Sequence, residues 1–111
     1  MQWIKVLNNF DLPIENDIKT VNANGKQLCV INDEDKIYVT QSICPHAGGH
    51  YSGGWCKNRH LICPIHRYEY SLENGSGAAG QGDYINIYPT EIRNDGLYVG
   101  FEKGWWSKIF E

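Results

Sequence analysis

Two short motifs, Cys44-Pro45-His46 and Cys63-Pro64-Ile65-His66, constrain this 111-residue chain more than any other feature. Sixteen residues separate them, and each offers one thiolate and one imidazole, donors suited to zinc or iron. Pro45 and Pro64 fix their own φ and bias the preceding cysteines toward extended backbone, which limits where the two sulfurs can point. Gly48-Gly49 and Gly53-Gly54 allow close backbone approach, so that amides can donate to sulfur. A tetrahedral zinc site accepts two cysteines and two histidines, although zinc fingers usually pair like with like. A two-iron centre uses the same four donors, one cysteine and one histidine from each loop.

The rest of the composition narrows the class. The length suits one domain, 1–111. Hydrophobic residues make up 41% and aromatics 13%, values of a folded globular chain rather than a disordered one. A net charge of -3 offers no broad positive field for phosphates, so neither nucleic acid nor an anionic membrane is an expected partner. No apolar run approaches the roughly 20 residues of a membrane span, and Met1-Gln2-Trp3-Ile4 has no basic leader, which predicts a cytoplasmic address. There, disulfides are not expected. Cys29, within Gln27-Leu28-Cys29-Val30-Ile31, reads as a small buried hydrophobe, whereas Cys56 after Gly53-Gly54-Trp55 has no evident place.

Strand signals dominate. Ile4 to Leu7 and Asp17 to Val21 alternate apolar and polar residues, and Asn24-Gly25 is a strong hairpin turn. Leu28 to Ile31 and Ile37 to Thr40 read as strands joined through the polar turn Asn32-Asp33-Glu34-Asp35. Tyr84 to Tyr88, Glu91 to Arg93 and Leu97 to Phe101 predict further strands, the last two joined through Asn94-Asp95-Gly96. Between these halves, residues 42–83 carry many glycines and all four histidines but few strand signals. Such a segment, poor in apolar side chains, needs a metal centre or a hydrogen-bond lattice to offset its ordering entropy. Within it, Gly75 to Gly82 reads as a flexible surface loop. His50 and His60 read as surface residues or as neighbours of the centre, not ligands.

Cys44-Pro45-His46-Ala47-Gly48-Gly49 and Cys63-Pro64-Ile65-His66-Arg67-Tyr68-Glu69-Tyr70 resemble the two cluster loops of the Rieske [2Fe–2S] family. Asp11-Leu12-Pro13 resembles an element near the N-terminus of Rieske ferredoxins, so the likeness spans nearly the whole chain. The resemblance implies an all-β fold of stacked antiparallel sheets with a loop-rich cluster-binding subdomain over about 42–83. It also implies a [2Fe–2S] cofactor held by Cys44, His46, Cys63 and His66. Gly48, Gly49, Arg67, Tyr68 and Tyr70 would surround it, the Tyr70 hydroxyl facing the sulfur of Cys44. The chain departs from the family pattern in three places. Gly49 and Ile65 stand where high-potential members carry a disulfide, Arg67 stands where a glycine usually follows the second histidine, and Gly80-Gln81 replaces a Gly-Pro in the third loop.

With all four positions filled by protein, such a cluster carries single electrons and binds no substrate. The chain is too short for the mononuclear-iron domain of a Rieske oxygenase. A ferredoxin passing electrons from a flavin reductase to a terminal oxygenase is therefore the expected role, with no catalysis of its own and a monomeric state. The small Rieske subunit of an NAD(P)H nitrite reductase, and a structural zinc or redox-sensing module, are the alternatives. The absent disulfide and Tyr68 at the position of a serine donor predict a potential in the lower half of the Rieske range, below about +75 mV and flat near neutrality. Trp105 with Ile109 and Trp106 with Phe110 would align on one helical turn, packing onto the protein's own sheet or onto a partner.

Overall fold

The computed structural model describes residues 1–43, 48–65, 67–78 and 80–102; the Trp-rich C-terminal segment falls outside them. Among the described residues ten strands are present: β1 (Gln2–Asn8), β2 (Ile18–Ala23), β3 (Lys26–Asp33), β4 (Lys36–Gln41), β5 (Trp55–Lys57), β6 (His60–Ile62), β7 (Glu69–Ser71), β8 (Ile87–Tyr88), β9 (Thr90–Arg93) and β10 (Gly96–Phe101). They form three antiparallel sheets, ordered β1-β10-β9, β2-β3-β4-β8 and β5-β6-β7. Among the described residues the only helical turns are two short 3-10 segments, Asn9–Asp11 and Tyr51–Gly53. The expected all-β architecture of stacked antiparallel sheets is the observed one.

The middle sheet is buried on both faces. Successive strand residues point to opposite sides, and along β3 the run Leu28-Cys29-Val30-Ile31 is buried throughout. Leu28 and Val30 join Val21, Ala23 and Val39 beneath Leu97, Val99 and Phe101 of the first sheet. Cys29 and Ile31 turn the other way, with Tyr38, onto Leu61 and Tyr70 of the third sheet and onto Cys63 and Leu72, which directly follow its strands. A continuous apolar run is what a strand covered on both sides requires.

Three of the connections are two-residue hairpins with positive φ at both central residues, as type I′ turns demand: Asn24-Gly25, Glu34-Asp35 and Asn58-Arg59. The second is tighter than the expected four-residue turn, because Asn32 and Asp33 continue β3 and pair with Ile37 and Lys36. Asp33 is fully buried, where its Oδ2 accepts the backbone N–H of Arg59 at 2.7 Å. The Arg59 guanidinium donates to the Tyr38 hydroxyl at 2.9 Å and lies 3.4 Å from Glu34. The turn of the third sheet is thereby fastened to the turn of the middle one.

Three further expectations need correction. Residues 42–83 hold a sheet of their own, with Tyr51, Cys56, Leu61, Ile62, Cys63, Tyr70 and Leu72 buried; strands of three residues are too short for alternation to register. Gly75 to Gly82 is tied down in its described part, Gly75 N donating to Ser71 O, Gly77 N to Asp83 O and Ala78 N to Glu69 O. Tyr84 to Tyr88 pairs as a strand only at β8, where Thr40 and Val39 face Ile87 and Tyr88. Upstream, β4 ends at Gln41, whose backbone N–H still donates to Asn86 O at 3.3 Å while its side chain accepts the Asn86 N–H; downstream, Pro89 has no N–H to extend the ladder.

Double-sided burial makes β3 the most sensitive strand. Ile31→Ala should lower unfolding free energy by about 2 to 5 kcal/mol, read as a lower urea midpoint with unchanged slope, whereas Ile92→Ala, on an exposed side chain, should change it by less than about 0.5 kcal/mol.

Candidate metal centre

The described residues on either side of each motif belong to a chain reversal. The first follows β4, where Ser42 O accepts the Tyr51 N–H at 2.9 Å and Ile43 pairs with His50 in an isolated antiparallel bridge. The base of this loop is fixed from both sides: Gln41 Nε2 donates to Ile43 O at 2.7 Å, and Ser42 Oγ donates to Gln27 Oε1 at 3.2 Å. The second motif joins β6 to β7, and the Cys63 N–H closes its loop on Tyr68 O at 2.9 Å.

The two tips converge. A Cβ built on Gly49 would lie 3.1 Å from Cys63 Sγ and 2.9 Å from Ile65 Cδ1. One on Gly54 would collide with the Ile62 carbonyl oxygen. Gly54 therefore has no room for a side chain, and the Gly49 backbone lies directly against the one ligand candidate that is described, Cys63, itself fully buried. Cys44, His46 and His66 lie outside the described residues. A buried thiol with bare backbone packed beside it, in a chain whose two motifs carry one more cysteine and two histidines, fits a metal–sulfur centre.

A family model for the Rieske [2Fe-2S] domain matches residues 2–89. The chain belongs to the Rieske [2Fe–2S] domain family. Its cofactor is the [2Fe–2S] cluster, which sets aside the zinc alternative. The ferredoxin component of the naphthalene 1,2-dioxygenase system of Pseudomonas putida is 30% identical over 95 residues, covering 85% of this chain and 90% of that one. In a solved complex of reduced oxygenase and oxidised ferredoxin of carbazole 1,9a-dioxygenase, the matched chain is 26% identical with a TM-score of 0.78, over 91% and 94% of the two chains. A putative small subunit of NADPH nitrite reductase has the same fold, with a TM-score of 0.78 at 16% identity over 91% and 100%.

The remaining candidates of this Rieske domain are distinguished by their own backbone and contacts. Gly48 takes φ +72 and Arg67 φ +54, so Arg67 stands in left-handed backbone, the conformation that explains the family's glycine there; its side chain is exposed. Tyr68 is half-buried, packed against the buried residues around Cys63. Tyr70 is wholly buried, and its hydroxyl donates to Asp83 Oδ2 at 2.8 Å; its expected partner Cys44 is not among the described residues. His50 is exposed at the bridge, and His60 lies in β6 with Nδ1 2.8 Å from Asn58 O, so neither is brought to Cys63. Sequence reasoning missed Gln81 and Asp83. Gln81 bonds both backbone groups of Glu69 at 3.0 Å, a pairing across 12 residues that no local spacing announces.

The two cysteines outside the motifs are inert. Burial pushes the Cys29 thiol up to about 11, a bond with Thr20 opposing it only in part. Burial and then the Asp33 charge push Cys56 to about 11 as well, with its Sγ 3.7 Å from Asn32 O.

Two outcomes follow from these contacts. Gly54→Ala should cost most of the iron and acid-labile sulfide, while Gly53→Ala, whose Cβ would meet only Pro64 Cγ at 3.8 Å, should keep wild-type content. Because the folded thiols hold their protons more tightly than the ordinary value of 9.0, their contribution to stability is complete below pH 9 and is lost as pH rises toward 11. Melting temperatures taken across that window should fall more steeply for the wild type than for Cys29→Ala/Cys56→Ala.

Proposed function

We propose that this chain is the ferredoxin component of an oxygenase-type system, taking electrons from a flavin reductase and delivering them to a terminal oxygenase. Cys44, His46, Cys63 and His66 hold the cluster, which when bound accepts and releases one electron at a time. The chain itself supplies the rest. The Gly49 and Gly54 cradle lets the tips meet, β6 and β7 set the second loop, and the described side chains offer no substrate chemistry. Residues 1–111 act as one domain, monomeric and cytoplasmic, with no catalysis of their own.

The observation that carries this reading is the rim of the converging tips. Ile43, Trp55 and Ile65 are exposed by 45%, 41% and 40%; Ile43 directly precedes the first motif, Ile65 lies within the second, and Trp55 pairs with Ile62 directly before the second. Apolar side chains beside a redox centre exclude water from a contact and shorten the path for the electron, as a transient docking face requires. The near-full-length match to a dioxygenase ferredoxin favours this role over a nitrite reductase subunit, for which the likeness at 16% identity supports the fold alone.

Two variants test the parts separately. His66→Ala should lose the visible absorption, iron and sulfide of the wild type, and retention of all three would overturn the ligand assignment. Trp55→Ala should keep the cluster and its potential but slow electron delivery to a dioxygenase oxygenase about tenfold, the effect of losing one central docking side chain. An unchanged rate would move the docking face elsewhere.

A further inference from the structure

Of the three arginines in the chain, Arg67 alone has no partner for its guanidinium among the described residues. Arg59 donates to the Tyr38 hydroxyl and lies against Glu34. Arg93 pairs with Glu91 at 2.9 Å and covers the Tyr98 ring at 4.0 Å from its centroid. Arg67 makes neither a hydrogen bond nor an ion pair there, although Glu69 stands two residues further along and is itself exposed. Its backbone is also strained: at φ +54 it occupies the left-handed region, which disfavours any residue with a Cβ. Arg59 shares that region, but there a type I′ hairpin demands it and the guanidinium fastens two sheets. At Arg67 no described contact of the side chain repays the fold.

The exposed side chain is placed for a contact outside the molecule. Arg67 lies within the loop that the Cys63 N–H closes on Tyr68 O, two residues from Ile65 on the exposed apolar rim. A guanidinium keeps its charge at every working pH and presents five donors in a rigid fork that fits a carboxylate. The chain as a whole carries a net charge of -3, so its long-range field does not favour an acidic surface, and a cation on the rim selects the one orientation in which such a surface can approach. We propose that Arg67 receives a carboxylate of the electron-accepting protein, whose docking surface is acidic where it meets the second motif. The inference rests on the ferredoxin reading and names the chemistry of its partner. Charges on the rim of a contact govern the rate and orientation of encounter more than its affinity.

Stopped-flow oxidation of the reduced holoprotein by a dioxygenase oxygenase tests this. At about 0.01 M ionic strength Arg67→Glu should react about tenfold slower than wild type and Arg67→Gln about threefold slower, with Arg67→Lys within about twofold; at about 1 M all four should converge. Lys57→Gln removes an exposed cation from the far end of the β5–β6 hairpin and should stay within about twofold of wild type at both salt concentrations. Equal rates throughout, a deficit of Arg67→Glu that persists at high salt, or a deficit of Lys57→Gln as large as that of Arg67→Gln would each overturn the proposal. If Arg67→Glu does not retain iron and sulfide, Arg67→Gly, which suits left-handed backbone, replaces it with the expectation given for Arg67→Gln. Failure of the ferredoxin reading has its own signature, since wild type and every variant alike would then pass no electrons to the oxygenase. Two inorganic oxidants then decide about Arg67 alone: Arg67→Glu should slow oxidation by hexacyanoferrate(III) and speed oxidation by hexaammineruthenium(III), each about threefold. Changes in the same direction, or none, would show that no anionic acceptor is met at Arg67, and the proposal is wrong.

Discussion

Everything in this molecule depends on β3 being buried on both faces. A strand exposes alternate side chains to opposite sides, and here neither side meets water: Leu28 and Val30 are covered by the first sheet, Cys29 and Ile31 by the third. The third sheet is too small to form a core of its own, since its strands are three residues long. It borrows one from the middle sheet, and that shared layer, together with the Asp33–Arg59–Tyr38 fastening at the opposite end, fixes the direction in which its loop projects. The cluster tips are thus an extension of the hydrophobic core rather than an appendage to it.

At the tips themselves, backbone approach matters more than side-chain packing. Gly54 permits an approach to the Ile62 carbonyl that a Cβ would prevent, and Cys63 is buried against Gly49. The same region tolerates one unfavourable residue, Arg67 in left-handed backbone, where the closing bond from Cys63 to Tyr68 over-determines the turn. Strain of this kind persists where surrounding contacts hold it, and it is found close to functional centres.

The third loop shows how one chain can dispense with a family feature. Where a proline is usual, Gln81 pairs its carboxamide with both backbone groups of Glu69, standing in for a neighbouring strand. That bond brings Asp83 to Tyr70, so the device that orders the loop also places a carboxylate beside a buried tyrosine.

The sequence by itself determined the chemistry and most of the strands. Motif spacing is local, proline and glycine restrict φ locally, and the hairpins at Asn24-Gly25 and Asn94-Asp95-Gly96 need no distant partner to be recognised. Only the tertiary structure decided that residues 42–83 form a sheet, that Asp33 belongs inside rather than in a turn, and that Gly75 to Gly82 is held rather than loose. In each case the stabilising contact joins residues far apart in the chain, Asp33 with Arg59, Leu61 with Ile31, Asp83 with Tyr70. Their composition alone reads as polar loop, because the groups that satisfy them are supplied by another layer of the fold.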